Sequence, residues 1–185
     1  MLQKTFTSTI FLSGDMAVKS ISNHNVLDET PEDLAIKYDD FGIDQLFILD
    51  LSKNYLEHEC ALGVIERIVV SVDIPVIVAG CIKNKGDIER LLDMGVSKVC
   101  LNFSKESNIL LAKEIKGLFP EKNLLTAITS VDDLDENVDL IEDVTSGLVL
   151  MKDSIISEVL SVSNMEMMIP IGDISLEKLI KLFEQ

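Results

Sequence analysis

The stretch DIPVIVAGCIKNKGDIERLLDMGVSKVCLN, residues 73–102, decides the fold. Pro75-Val76-Ile77-Val78-Ala79 is a continuous apolar run, the pattern of a parallel strand buried on both faces. Gly80 closes that run, and Asn84 with Asp87 three residues on has the spacing of a helix N-terminal cap. Ile88, Leu91 and Leu92 give the helix one apolar face. Gly95 stands where a left-handed residue ends a helix, and Lys98-Val99-Cys100-Leu101 opens a second buried strand. The stretch is a βαβ unit.

Strand and helix signals alternate outward from that unit. Residues 6–12 (FTSTIFL) are β-branched and aromatic and read as a first strand, while residues 13–29 show no period and read as a long loop. Thr30-Pro31 starts a helix with a cap and a proline at its first position, and Leu34, Tyr38 and Phe41 share its apolar face. Residues 45–49 (QLFIL) form a second strand ending at Asp50, and residues 61–70 a second helix facing inward through Leu62, Ile65, Ile68 and Val69. Beyond the central unit come a helix over 107–117, a strand over 123–129 and an acidic helix over 131–143, with Leu134, Val138 and Ile141 inward. Residues 147–151 read as strand six, 155–162 as a short helix and 165–171 as strand seven. Leu176, Leu179, Ile180 and Phe183 mark a final amphipathic helix.

Seven βα units in regular order, with no linker and no GxGxxG loop, favour an α/β fold of the (β/α) TIM-barrel type over a doubly wound sheet. The expectation is a single domain over residues 1–185. A full eight-stranded barrel takes about 250 residues, so this one is shortened. Either it closes with fewer strands or a partner chain covers the gap, and a homodimer is expected.

The net charge of −16, from 32 acidic against 16 basic residues, excludes a phosphate backbone as the partner and hence a nucleic acid. Cys60, Cys81 and Cys100 are odd in number and lack CxxC spacing, which points to a reducing cytoplasm. No signal peptide is read at the start, and the apolar runs stop short of the roughly 20 residues that a membrane span requires.

Specific residues then carry a resemblance. The opening MLQKTFTSTIFLSGDMAVKS (1–20) leads from a strand into a loop ending in Val18-Lys19, TPEDLAIKYDDFGIDQLFILDLS (30–52) supplies a helix and a strand ending in Leu49-Asp50, and residues 73–102 come next. Together they resemble the histidine-biosynthesis barrels, ribulose-phosphate-binding in type. The similarity is greatest to the cyclase subunit of imidazole-glycerol-phosphate synthase and its surface-polysaccharide paralogues, and it covers residues 1–130 better than the rest. The resemblance implies a lyase-type cyclase that works with ammonia from a glutaminase partner and holds a phosphorylated substrate at the strands' carboxyl ends.

Departures from that pattern fall on the implied site. The family's first catalytic aspartate matches Phe11, and the second, in an Ala-Ile-Asp motif, matches Thr129 after Ala127-Ile128. Phenylalanine moves no proton and threonine is a poor substitute at neutral pH, whereas each general acid or base contributes about 10² to 10⁴-fold. The phosphate-holding glycines are thinned to Ala79-Gly80-Cys81 and Ile171-Gly172-Asp173, and the Asn-Thr pair becomes Asn102-Phe103. Some of the polysaccharide paralogues also carry an apolar residue in place of the first aspartate.

Candidate site residues are therefore Asp50, as a base, a positioning group or a cap, and Lys19, Gly80, Asn102 and Gly172 as ligand-binding positions implied by the resemblance. His58-Glu59-Cys60 offers too few ligands for zinc and reads as a loop before a helix. The acidic run 132–136 lacks the glycine and final glutamate of a calcium loop. No metal and no cofactor is expected. Two readings stand: a degenerate pseudoenzyme serving as a binding, scaffolding or regulatory subunit, or an active cyclase-type enzyme on a phosphorylated or sugar-like substrate.

Overall fold

The computed structural model describes residues 6–152, together with 155, 159 and 165–168. The chain runs β1 (Thr7–Ser13), β2 (Met16–Val18), α1 (Pro31–Asp40), β3 (Gln45–Asp50), α2 (Tyr55–Ser71), β4 (Val76–Ala79), α3 (Lys85–Asp93) and β5 (Lys98–Asn102). It continues through α4 (Glu106–Ile115), a 3₁₀ turn (Glu121–Asn123), β6 (Leu124–Ile128), α5 (Val131–Asp135), α6 (Val138–Val144), β7 (Gly147–Leu150) and β8 (Glu166–Met168). The strands make one sheet in the order β2-β1-β3-β4-β5-β6-β7-β8. Every pair is parallel except β1 with β2. This is the curled sheet of a shortened α/β barrel, as the alternating pattern predicts.

Side-chain alternation splits the strands between two cores. Ile10 and Leu12 of β1, Leu46 and Ile48 of β3 and Val76 and Val78 of β4 pack toward the helices, against Ile65 and Ile68 of α2 and Ile88 and Leu91 of α3. Phe47, Ile77, Ala79, Cys100, Leu125 and Ala127 turn the other way and meet Val149 and Met168 in a smaller interior cluster. With both faces buried, a strand must be apolar at every position, which is why the run at Val76 reads without alternation.

Local chemistry sets the helix ends. Thr30 caps α1 by accepting the Asp33 N–H, and Asn84 with Asp87 forms the reciprocal capping box of α3. Gly95 takes φ +96° at the end of α3, as its position required. Arg90 donates to Glu59 from both terminal guanidinium nitrogens at 2.7 and 2.9 Å, which ties α3 to the N-terminal half of α2.

Four expectations are corrected. The stretch read as a loop over 13–29 contains β2, which folds back on β1 with Ser13 opposite Met16, and a bridge from Val18 to Val26. The second helix begins at Tyr55 instead of 61: Asn54 accepts the Glu57 N–H, and the Glu57 carboxylate accepts the Lys53 N–H. His58, Glu59 and Cys60 are therefore helical. The acidic segment is two short helices, because Ser130 and Asp133 box the first and Glu136 and Asn137 interrupt it; Leu134 and Ile141 are buried as expected, but Val138 is 39% exposed. Phe41 lies at the helix C-terminus and is 54% exposed instead of facing the core. The expected helix around Leu176 and the loop at Gly172 lie outside the described residues.

Gly80 carries the chain out of β4 with φ +93°, and a Cβ there would stand 2.1 Å from the Asp50 carbonyl oxygen. That obstacle is backbone and cannot rotate away. Gly80→Ala is expected to cost about 3 kcal/mol or more, from strain and collision together. Gly42 has φ +76° with nothing within 4 Å of its Cβ position, and Gly42→Ala should cost only about 1 kcal/mol. Urea midpoints of the two variants check the difference, and equal losses would contradict the close approach.

Candidate ligand-binding site at the carboxyl ends of β3 to β6

A cavity of about 540 Å³ opens where β3, β4, β5 and β6 end. Its floor is the upper layer of the interior cluster, with Phe47, Leu49, Ala79, Cys100, Ala127 and Met151. Its rim is polar: Lys83 follows β4, Asn102 ends β5, and Lys105, Ser107 and Asn108 stand at the start of α4. An apolar base under a few convergent polar groups is the general form of a small-molecule site. The α4 N-terminus has no side-chain cap, so its N–H groups and the two lysines give this rim a positive character in an acidic chain.

Asn102 holds the rim together. Its Oδ1 accepts the Ser104 N–H at 2.9 Å and the Ser104 hydroxyl at 2.8 Å, and its carbonyl accepts from Asn108 Nδ2 at 3.0 Å. Gly80 lines the cavity, and the packing against Asp50 already accounts for its being glycine.

Asp50 reaches the cavity wall but faces the helix side, in step with Leu46 and Ile48. Its side chain is 1% exposed. Oδ1 accepts the Ser52 N–H at 2.8 Å, and Oδ2 lies 2.5 Å from Nδ1 of His58 in the first turns of α2. Cys81 completes the group: its thiol donates to the Ser52 carbonyl at 3.3 Å, and its backbone takes φ +56°, the non-glycine residue in the left-handed region among those described. Burial pushes the Cys81 thiol up to about 11, and the Asp50 carboxylate adds to the shift. The sulfur is a protonated donor at neutral pH and no thiolate nucleophile. His58 and Cys81 were not candidates in the sequence; the Asn54-x-x-Glu57 capping spacing is the signal that places His58 in the first turn of a helix.

The other expected positions lie elsewhere. Lys19 is exposed and borders a small cavity of about 30 Å³ beside Phe11 and Tyr38, so the fold does not bring it to the main cavity. Thr129 lies outside the wall too. Its N–H and hydroxyl both donate to Asp133 Oδ2, at 2.7 and 3.0 Å, within the cap of α5. Burial pushes the Asp133 carboxyl up, but the donors of Thr129 and Ser130 outweigh it and hold the group below its ordinary value. Gly172 lies outside the described residues.

A barrel-type sheet with a polar-rimmed cavity at its carboxyl end defines the class of (β/α) barrels. The family described as "Histidine biosynthesis protein" matches residues 11–160, and the chain belongs to that family. It is 35% identical over 134 residues to the imidazole glycerol phosphate synthase subunit HisF of Staphylococcus aureus strain JH9, an alignment covering 72% of this chain and 53% of the relative. The HisF subunit of Pyrococcus furiosus is 29% identical over 129 residues, covering 69% and 51%. The chain thus spans about half the length of the curated relatives it matches.

Thr129→Val keeps the N–H on Asp133 and removes the hydroxyl. The variant should lose about 1 kcal/mol at neutral pH. Asp133 is depressed in the fold, so its contribution is present above the ordinary carboxyl range and fades as pH falls through the folded value. The gap between variant and parent should therefore narrow below about pH 4. Urea titrations at neutral and acid pH measure it, and a constant gap would contradict the role given to the hydroxyl.

Proposed function

We propose that this protein is a non-catalytic member of the histidine-biosynthesis barrels that binds a small phosphorylated molecule and serves as a scaffolding or regulatory subunit. The observation that carries the reading is the fate of the two positions that the resemblance makes catalytic. Phe11 has no proton to transfer, and the Thr129 hydroxyl is committed to the cap of α5. Meanwhile the cavity over β3 to β6 keeps a ligand-sized volume and a rim with Lys83, Lys105 and Asn102, the chemistry that holds a phosphate. The relatives are named as subunits of a synthase, which suits a protein partner, glutaminase-like or other. Three free cysteines suit a reducing cytoplasm, and no described helix is long and apolar enough to cross a membrane. A homodimer belongs to this reading, and light scattering at micromolar concentration should show it.

One observation favours a second reading, an active enzyme on the same class of substrate. Asp50 lines the cavity and His58 stands behind it at 2.5 Å, and a paired carboxylate and imidazole beside a ligand cavity is a unit able to move a proton.

Thermal shift against ribose phosphates, aminoimidazole nucleotides and nucleotide sugars separates the two, run beside a turnover assay for each compound that binds. A ligand at 100 times its dissociation constant should add about 2.7 kcal/mol to stability. Binding without turnover, weakened by Lys105→Ala and Asn102→Ala, is expected. Turnover abolished by His58→Gln would establish the enzyme instead, and no shift across the panel would remove the phosphorylated ligand.

A further inference from the structure

We infer that Asp50, His58 and Cys81 form a binding site for a divalent transition-metal ion of the zinc type, beside the ligand cavity that Asp50 and Cys81 line. This goes beyond the proposed function and does not depend on which organic molecule the cavity takes. One carboxylate oxygen, one imidazole nitrogen and the thiol sulfur lie within 4.8 Å of one another. The three come from the end of β3, the start of α2 and the turn after β4, elements fixed by the sheet and by the Gly80 approach.

The donor set selects the ion. Carboxylate oxygen, imidazole and thiolate together suit zinc, whereas magnesium and calcium require oxygen alone. Tetrahedral zinc, with bonds of about 2.0 Å to nitrogen and about 2.3 Å to sulfur, places its donor atoms about 3.5 Å apart. To reach that spacing Asp50 Oδ2 and His58 Nδ1, 2.5 Å apart, give up their hydrogen bond and open by roughly 1 Å, while the longer separations of the trio close by about as much. As the sulfur–metal bond forms, the thiol proton leaves to solvent, and the imidazole binds neutral through a nitrogen lone pair. One carboxylate and one thiolate then balance the two charges of the ion. Three protein ligands leave a fourth position for water or a ligand group, the coordination of an open site.

Two further observations point to the same place. Ser52 touches both Asp50 and Cys81 through its backbone, at 2.8 and 3.3 Å, yet its own hydroxyl is buried without a hydrogen-bond partner. A metal-bound water is the kind of group that such an orphan takes. Cys81 also occupies a left-handed conformation that disfavours a side chain, at a position where the resemblance puts glycine. Cys60, the neighbour that His58 has in sequence, is exposed on α2 and takes no part.

The test uses the full chain, stripped with chelator and titrated with zinc against a chromophoric competitor, then with cobalt(II). One ion per chain is expected, with a sulfur-to-cobalt charge-transfer band in the near ultraviolet. Cys81→Ser should abolish that band, and His58→Gln and Asp50→Asn should each weaken zinc binding by about tenfold or more. Cys60→Ser and Cys100→Ser should change neither. Should Cys81→Ser fold poorly, Cys81→Gly removes the thiol and suits φ +56°, and the band should be absent there as well. Absence of stoichiometric binding at micromolar free zinc would overturn the site. So would a cobalt band that survives loss of the Cys81 thiol or disappears with Cys60→Ser.

Discussion

The approach of Gly80 to the backbone of Asp50 is the constraint on which the mouth of this protein depends. Two parallel strands end side by side, and the chain leaving β4 turns so closely over the end of β3 that a Cβ would fall 2.1 Å from a carbonyl oxygen. Only glycine permits that turn. Its consequence is positional: Cys81 is carried over the end of β3, within reach of the carbonyls of Ser52 and Asp50. His58 meets Asp50 as well, because the Asn54 cap starts α2 early enough to include it. The cavity is the space these turns leave above the apolar interior.

The residues at which this chain departs from the pattern implied by the resemblance are absorbed into the fold. Phe103 stands where the resemblance puts a hydroxyl, and it is 2% exposed within the helix-side core. A phenylalanine so buried contributes about 1.5 to 3 kcal/mol of hydrophobic stabilisation. Thr129, where an acid is implied, has become part of a helix cap. Ala79 packs into the interior cluster. At each of these positions the residue present serves packing or capping. The remaining polar groups are concentrated on β3, β4, β5 and α4.

Much of the fold was legible in the sequence, for physical reasons that can be named. A strand buried on both faces must be apolar throughout, so β3, β4, β5, β6 and β7 announced themselves. Helix caps are local, so Thr30 and Asn84 marked the starts of α1 and α3. The early start of α2 was equally local at Asn54 and Glu57, but the apolar periodicity begins only at Ala61 and drew the boundary there. The hairpin of β2 against β1 has no such mark, since three residues carry too little pattern to show a period.

The sequence by itself determined the class of fold and the family, and it marked the positions where its residues depart from what the resemblance implies. Those are properties of single residues and short periods. Only the tertiary structure decided that Lys19 stays away from the main cavity, that Thr129 is spent on a cap, and that Asp50, His58 and Cys81 meet. Residues 50, 58 and 81 sit on three separate elements, and nothing local relates them. They come together because parallel pairing sets β3 beside β4, α2 packs back over the sheet, and one glycine lets the next turn close on the last.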